Sequence, residues 1–106
     1  MVRAVFERKN GTLCGFRISG HAGYADAGED IVCAAVSSAV QYATILITEV
    51  FREKDTESAG DNVTAVRLLT PEQGQSARVL DGLLMHLQFL SEDYPGTIHI
   101  TFTEVF

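Results

Sequence analysis

Apolar and polar residues alternate near both ends of the chain, and apolar residues recur every three or four positions in two longer stretches between. The first pattern predicts strands and the second helices. Val2 to Arg8 and Thr12 to Ser19 read as strands joined through Lys9-Asn10-Gly11, where Asn-Gly supplies the positive φ of a tight hairpin turn. In the second strand the period-two rule sets Cys14, Phe16 and Ile18 on one inward face, with Leu13, Gly15 and Arg17 on the other. A long helix is expected from about Asp30 to about Arg52, followed by a polar, solvated connection that includes Glu53, Lys54, Asp55 and Glu57. Asn62 to Leu69 reads as a third strand. Thr70 then suits an N-cap, Pro71 the first helical position, and Gln73 the far side of a capping box. Val79, Leu80, Leu83, Leu84, Leu87 and Leu90 stripe the second helix, and Tyr94-Pro95-Gly96 stops it. Thr97 to Phe106 alternates again as a last strand. The order β-β-α-β-α-β implies an α+β fold, a single domain over residues 1–106 with two helices packed on one sheet.

The first helix is the least ordinary element. Ile31 to Thr48 is a run of 18 uncharged residues, the threshold length for a membrane span. Ser37, Gln41, Thr44 and Thr48 nevertheless recur at helical spacing as a narrow polar stripe, and alanine outnumbers leucine. The expectation is therefore a soluble helix buried on most of its circumference, against the sheet on one side and a second subunit on another.

Composition alters this picture little. Hydrophobic residues make up 46% and charged residues 21%, the balance of a soluble globular protein. The formal charge of −6 argues against direct nucleic-acid binding, which needs clustered Lys and Arg. The two cysteines, Cys14 and Cys33, are too few for a disulfide framework. The first residues carry charges and no apolar segment of a secretory signal, so a cytoplasmic setting with reduced thiols and no membrane partner is expected.

Candidate chemistry gathers in Ser19-Gly20-His21-Ala22-Gly23-Tyr24-Ala25-Asp26-Ala27-Gly28-Glu29-Asp30-Ile31-Val32-Cys33. With Asp30 as N-cap, Cys33 would stand in the first helical turn, where unused amides and the helix dipole favour a thiolate. His21, just past a strand end, is within reach as its base. Asp30 and Asp26 are both available as an orienting third group, and spacing selects neither. The small-residue loop around Tyr24 suits either a lid over a ligand or a plain connector. Ser37 shares the face of Cys33 one turn on. Three readings stay open: a Cys–His nucleophile and base, a buried structural cysteine, or a metal site from His21, Cys33, Asp30 and Cys14, which lacks the paired short spacings of zinc ligands. His86 and His99 have no partner nearby in sequence.

The stretch Ile18 to Val40 resembles the signature of the ribosomal-processing cysteine protease (Prp) family: Gly-His, a loop of small residues, then Asp-Ile-Val-Cys-Ala-Ala-Val-Ser opening a helix. The resemblance implies a cytoplasmic, homodimeric endopeptidase that needs no cofactor or metal. Its substrate would be the short N-terminal extension of a ribosomal large-subunit protein of the L-twenty-seven family. On this sequence it implies Cys33 as nucleophile and His21 as general base, with Gly20 and Asp30 shaping the site and Ser37 lining it; Tyr24, at the loop centre, is read from the loop itself as a substrate contact or the residue that pins the loop down. The alternative expectation is a non-catalytic, ribosome-associated peptide-binding module in which Cys33 is structural.

Overall fold

A computed structural model describes residues 1–20, 27–60 and 63–105, with the backbone alone for residues 27–30. Strands β1 (Val2–Lys9) and β2 (Thr12–Ser19) form the expected hairpin, its turn made by Asn10 and Gly11 at φ 53° and 80°. Helix α1 (Ala27–Ile45) runs on into a π-helical turn, Leu46–Val50. Two strands, β3 (Asp55–Gly60) and β4 (Val63–Leu68), precede helix α2 (Ser76–Asp93), and β5 (Ile98–Glu104) closes the order. The five strands form one sheet in the order β3-β4-β2-β1-β5. Neighbours pair antiparallel except β1 and β5, which run parallel.

The α+β class with two helices on one sheet is as the pattern implied. Strand β3 is the addition, because its residues were expected to be a solvated connection. An edge strand with no buried face carries no apolar alternation, and only its backbone pairing with β4 marks it. Asn62 and Phe106, expected as strand ends, lie outside the described residues.

One face of the sheet buries Val2, Ala4, Phe6, Phe16, Ile18, Val66 and Ile98 against Val32, Val36, Val40, Ala43 and Ile47 of the first helical segment and Leu80, Leu83 and Leu87 of α2. Leu13 joins this core and Cys14 does not, reversing the expected alternation. The register explains it: Glu7 pairs with Gly15 but Arg8 with Leu13, so Cys14 is the extra residue of a β-bulge. A bulge shifts the pleat by one, sending every residue on its far side to the opposite face. Cys14 therefore lies in the field of Glu7, Arg67 and Lys9, still sealed at 2% exposure. On that outer face the Glu7 carboxylate takes hydrogen bonds from Arg67 Nε (2.9 Å) and Nη2 (2.5 Å), reaching across β2. Glu7, Gly15 and Arg67 stand in one cross-strand row, and a Cβ on Gly15 would lie 2.7 Å from Glu7 Oε1. Only glycine leaves room for the pair to close over it.

Both helix starts differ from expectation. Helix α1 begins at Ala27, so Asp30 is not its cap and Cys33 is the seventh helical residue, in the second turn. An aspartate is as favourable within a first turn as at a cap, so it does not by itself mark a boundary. Helix α2 begins at Ser76, and Thr70 instead accepts a turn hydrogen bond from the Gln73 amide at 3.0 Å. The α2 start is capped from outside by Glu53, whose carboxylate accepts from the amides of Gln75 (2.6 Å) and Ser76 (3.1 Å). A full negative charge at a helix N-terminus outcompetes a neutral local cap.

Candidate active site

Helix α1 carries Cys33 on a particular flank. At 3.6 residues per turn, Cys33, Ser37, Val40 and Thr44 fall within roughly a sixth of the circumference, on the side away from α2. Along this flank lies a groove of about 340 Å³. Buried Ile18 of β2 and Val40 make its floor, Thr64 of β4 and Ile45 its walls, and Ser37, Gln41 and Thr44 its rim. Among the described residues no charged side chain lines it. Thr44 donates its hydroxyl to the Val40 carbonyl at 2.8 Å, and Thr48 donates to the Thr44 carbonyl at 3.0 Å. The polar stripe is thus only partly polar in fact: its threonines turn their hydroxyls onto their own helix.

The opposite flank differs. Ala35, Ala39, Tyr42 and Leu46 face Val79, Gly82 and Leu83 of α2 across an apolar groove of about 620 Å³. The stretch Ile31–Val50 is long and apolar enough to span a membrane by length and composition, and 28% of its most apolar window is buried. That is less than the burial expected around most of the helix. Ile31, Tyr42, Ile45 and Val50 stay more than half exposed.

The two thiols are placed unequally. Both are free of disulfides, Cys14 buried and Cys33 half-buried at the edge of the core. Burial, then the charge of Glu7, pushes the Cys14 thiol up from its ordinary value, which keeps it protonated and unreactive.

Of the other expected site residues, Ser37 lies exposed one turn beyond Cys33. Gly20 follows the end of β2 with φ 76°, and a Cβ there would approach the Met1 carbonyl oxygen to 2.6 Å. Glycine therefore lets the chain leave the sheet toward His21. His21, Tyr24 and Asp26, and the loop read as a lid or connector, lie outside the described residues, as does the side chain of Asp30. Among the described residues no group of three His, Cys, Asp or Glu could hold a metal ion. The groove floor and Thr64 escaped the sequence reading; the Ser37-Gln41-Thr44 stripe was the signal that pointed to them.

A family model for the cysteine protease Prp matches residues 1–99. The chain belongs to this family. The Prp of Bacillus subtilis (strain 168), a ribosomal processing cysteine protease, is 26% identical over 108 residues, covering 95% of this chain and 96% of its own length. The essential ribosomal processing protease Prp of S. aureus, solved in complex with a substrate peptide, superposes with a TM-score of 0.89 at 21% identity, over 97% of this chain and 100% of that one. The S. aureus Prp with a covalently linked product peptide gives 0.86 at 22% identity, with the same coverage. SMU.848 of Streptococcus mutans gives 0.78 at 22% identity over 99% of each chain. These structures share the Prp fold found here.

Proposed function

We propose that this Prp-family chain is an endopeptidase that removes the short N-terminal extension of a ribosomal large-subunit protein of the L-twenty-seven family. Cys33 is its nucleophile and His21 its general base. The family match over residues 1–99 carries this reading, and the contrast between a sealed Cys14 and a half-buried Cys33 beside an uncharged groove supports it.

The Cys33 thiolate attacks the scissile carbonyl carbon, and its electron pair forms the new C–S bond. Collapse of the tetrahedral adduct breaks the C–N bond, and the His21 imidazolium gives its proton to the departing amine. Water, deprotonated by His21, then attacks the thioester, releasing the peptide acid and returning the thiol. The S. aureus relative held a covalently linked product peptide, the kind of bond such a route leaves. Gly20 directs the chain toward His21, Ser37 borders the reacting carbonyl, and Tyr24 and Asp30 shape the site. No cofactor enters any step.

The protein works in the cytoplasm, in keeping with two cysteines that form no disulfide. It acts as a homodimer, for which exposed Ile31, Tyr42, Met85 and Phe89 supply apolar surface. Its partner is the peptide, without direct nucleic-acid or membrane contact.

The test incubates wild type and Cys33→Ala with the full-length ribosomal precursor from the same cell, read by mass. Wild type is expected to remove one N-terminal segment and Cys33→Ala none, with unchanged circular dichroism. Equal processing by both would exclude Cys33 as nucleophile. Processing by neither would favour the peptide-binding alternative.

A further inference from the structure

We infer that the sheet face turned away from the helices is a docking surface for an extended acidic segment of a partner protein, one that carries Asp or Glu at alternate positions. This goes beyond the peptidase reading and does not depend on the chemistry at Cys33.

The helices cover one face of the sheet, and the register shows what the other presents. Arg3, Val5, Glu7 and Lys9 of β1 alternate onto it. Gly15 and Arg17 of β2 pair there with Glu7 and Val5, and Arg67 and Ala65 of β4 pair in turn with Gly15 and Arg17. Arg3, Lys9, Arg17 and Arg67 are all exposed. This face thus holds four of the eight Lys and Arg of a chain whose formal charge is −6. Among the described residues its one carboxylate is Glu7, which Arg67 engages. Like charges gathered on one flat face repel one another, and an anionic partner relieves that cost.

The cations are also ordered. Arg67 stands in the row Glu7-Gly15-Arg67, Arg17 in the row Val5-Arg17-Ala65, and Arg3 in the row Arg3-Ser19-Val63. Each lies one strand further across, so the three make a diagonal from β4 through β2 to β1. Its steps are those of diagonal neighbours, about 7–8 Å. In an extended chain alternate side chains share one side and repeat at about 6.6–6.8 Å. Three alternate carboxylates therefore match three guanidiniums, whose long side chains take up the difference.

A recess of about 220 Å³ lies on this diagonal, bordered by Arg17, Arg67, Thr56 and Ser58. It offers a carboxylate two guanidiniums and two hydroxyls. Glu7 and Glu57 border it as well. Glu7 occupies only Nε and Nη2 of Arg67, leaving the other N–H groups to a guest. Glu57 pairs with Val66, a core residue, and hydrogen-bonds Asp55 on the helix side of β3. Among the described residues the face presents no Phe or Tyr on which bases could stack, which favours carboxylates over a polynucleotide.

The probe is a fluorescein-labelled peptide of alternating Glu and Ser, titrated by anisotropy against the full chain at low salt. Its controls replace every Glu by Gln, or gather the same Glu residues into one block, and a uridine oligonucleotide of equal charge is the third. The alternating peptide is expected to bind about 30-fold tighter than the Gln control and about fivefold tighter than the block. Arg17→Glu and Arg3→Glu are each expected to weaken it about tenfold, and Arg78→Glu, exposed on α2, by less than about twofold. Arg17→Gln serves if charge reversal disturbs the fold. Equal affinity for the Gln control, or full binding by the Arg17 and Arg3 variants, overturns the proposal. An equal loss in Arg78→Glu reduces the effect to net charge and overturns it too. Tighter binding of the oligonucleotide replaces the acidic segment with a polynucleotide, and a block bound as tightly overturns the alternate spacing.

Discussion

Toward α2, helix α1 presents Ala35, Ala39 and Leu46 to Val79 and Leu83; toward the sheet's far edge it presents Ser37, Gln41 and Thr44 to Ile18 and Thr64, with Cys33 one turn before Ser37 on the same flank. The first flank carries mostly alanine and larger apolar groups, with Ser38 and Tyr42 among them and His86 of α2 across the groove; the second carries Cys33 and Ser37, the candidate site residues described on the helix. The cause lies in how the layers cover one another. Five strands at about 4.8 Å spacing make a sheet roughly 24 Å wide, while two helices of about 10 Å cover roughly 20 Å. One strip of sheet beside α1 is left open on the β4–β3 side by the described residues, and five of the six residues of β3 are exposed. The chain places Cys33, the proposed nucleophile, on the flank of α1 that borders the gap its own architecture leaves.

The sharpest way to break this comparison is a paired substitution across the helix. Cys33→Ala is expected to cut precursor cleavage by at least about a thousandfold, whereas Ser38→Ala on the α2 flank leaves kcat/KM within about twofold. Equal losses would dissolve the distinction. Stability should divide the opposite way. Leu83→Ala, truncating a buried side chain that faces α1 across the apolar groove, is expected to cost about 2–5 kcal/mol in urea unfolding, and Thr64→Ala in the other groove less than about 1 kcal/mol.

A smaller effect is expected at the joint between helices. Glu53→Ala removes the carboxylate from the Gln75 and Ser76 amides, a loss of about 1–2 kcal/mol, and hydrogen exchange should quicken first at the start of α2. The smallest lies at the uncovered edge. Glu57, though exposed, has its carboxyl raised from the usual range by slight desolvation, then by the charge and hydrogen bond of Asp55 and the charge of Glu49. The folded state therefore binds a proton more readily than the unfolded chain, and stability falls as pH rises through the folded-state value. Glu57→Gln should raise Tm slightly at neutral pH and lose that advantage in acid, with the two Tm curves converging. A gap that widens in acid would contradict the assignment.

Much of this was legible without coordinates. The hairpin at Asn10-Gly11, the leucine stripe of α2 and the alternation of β5 are local patterns, and each appears where spacing put it. The motif around Cys33 carried the family as well, because reactive chemistry needs particular residues at close spacing. Three features were not legible. The bulge at Cys14 hides because a one-residue register slip is set by the partner strand, so the apolar string alone misassigned Leu13 and Cys14. The Glu53 cap joins residues 22 positions apart, and the nearby Thr70 capping box looked locally sufficient. Strand β3 has no buried face to announce it.

By itself, then, the sequence determined where β1, β2, β4, β5 and the bodies of both helices fall, and the family to which the chain belongs, since these follow from side-chain chemistry and short-range periodicity. Tertiary structure decided which thiol is sealed, what caps α2, and that the groove beside Cys33 is walled by β4 instead of α2. Those outcomes depend on strand order and register, which arise from contacts between distant segments and leave no mark within any one of them.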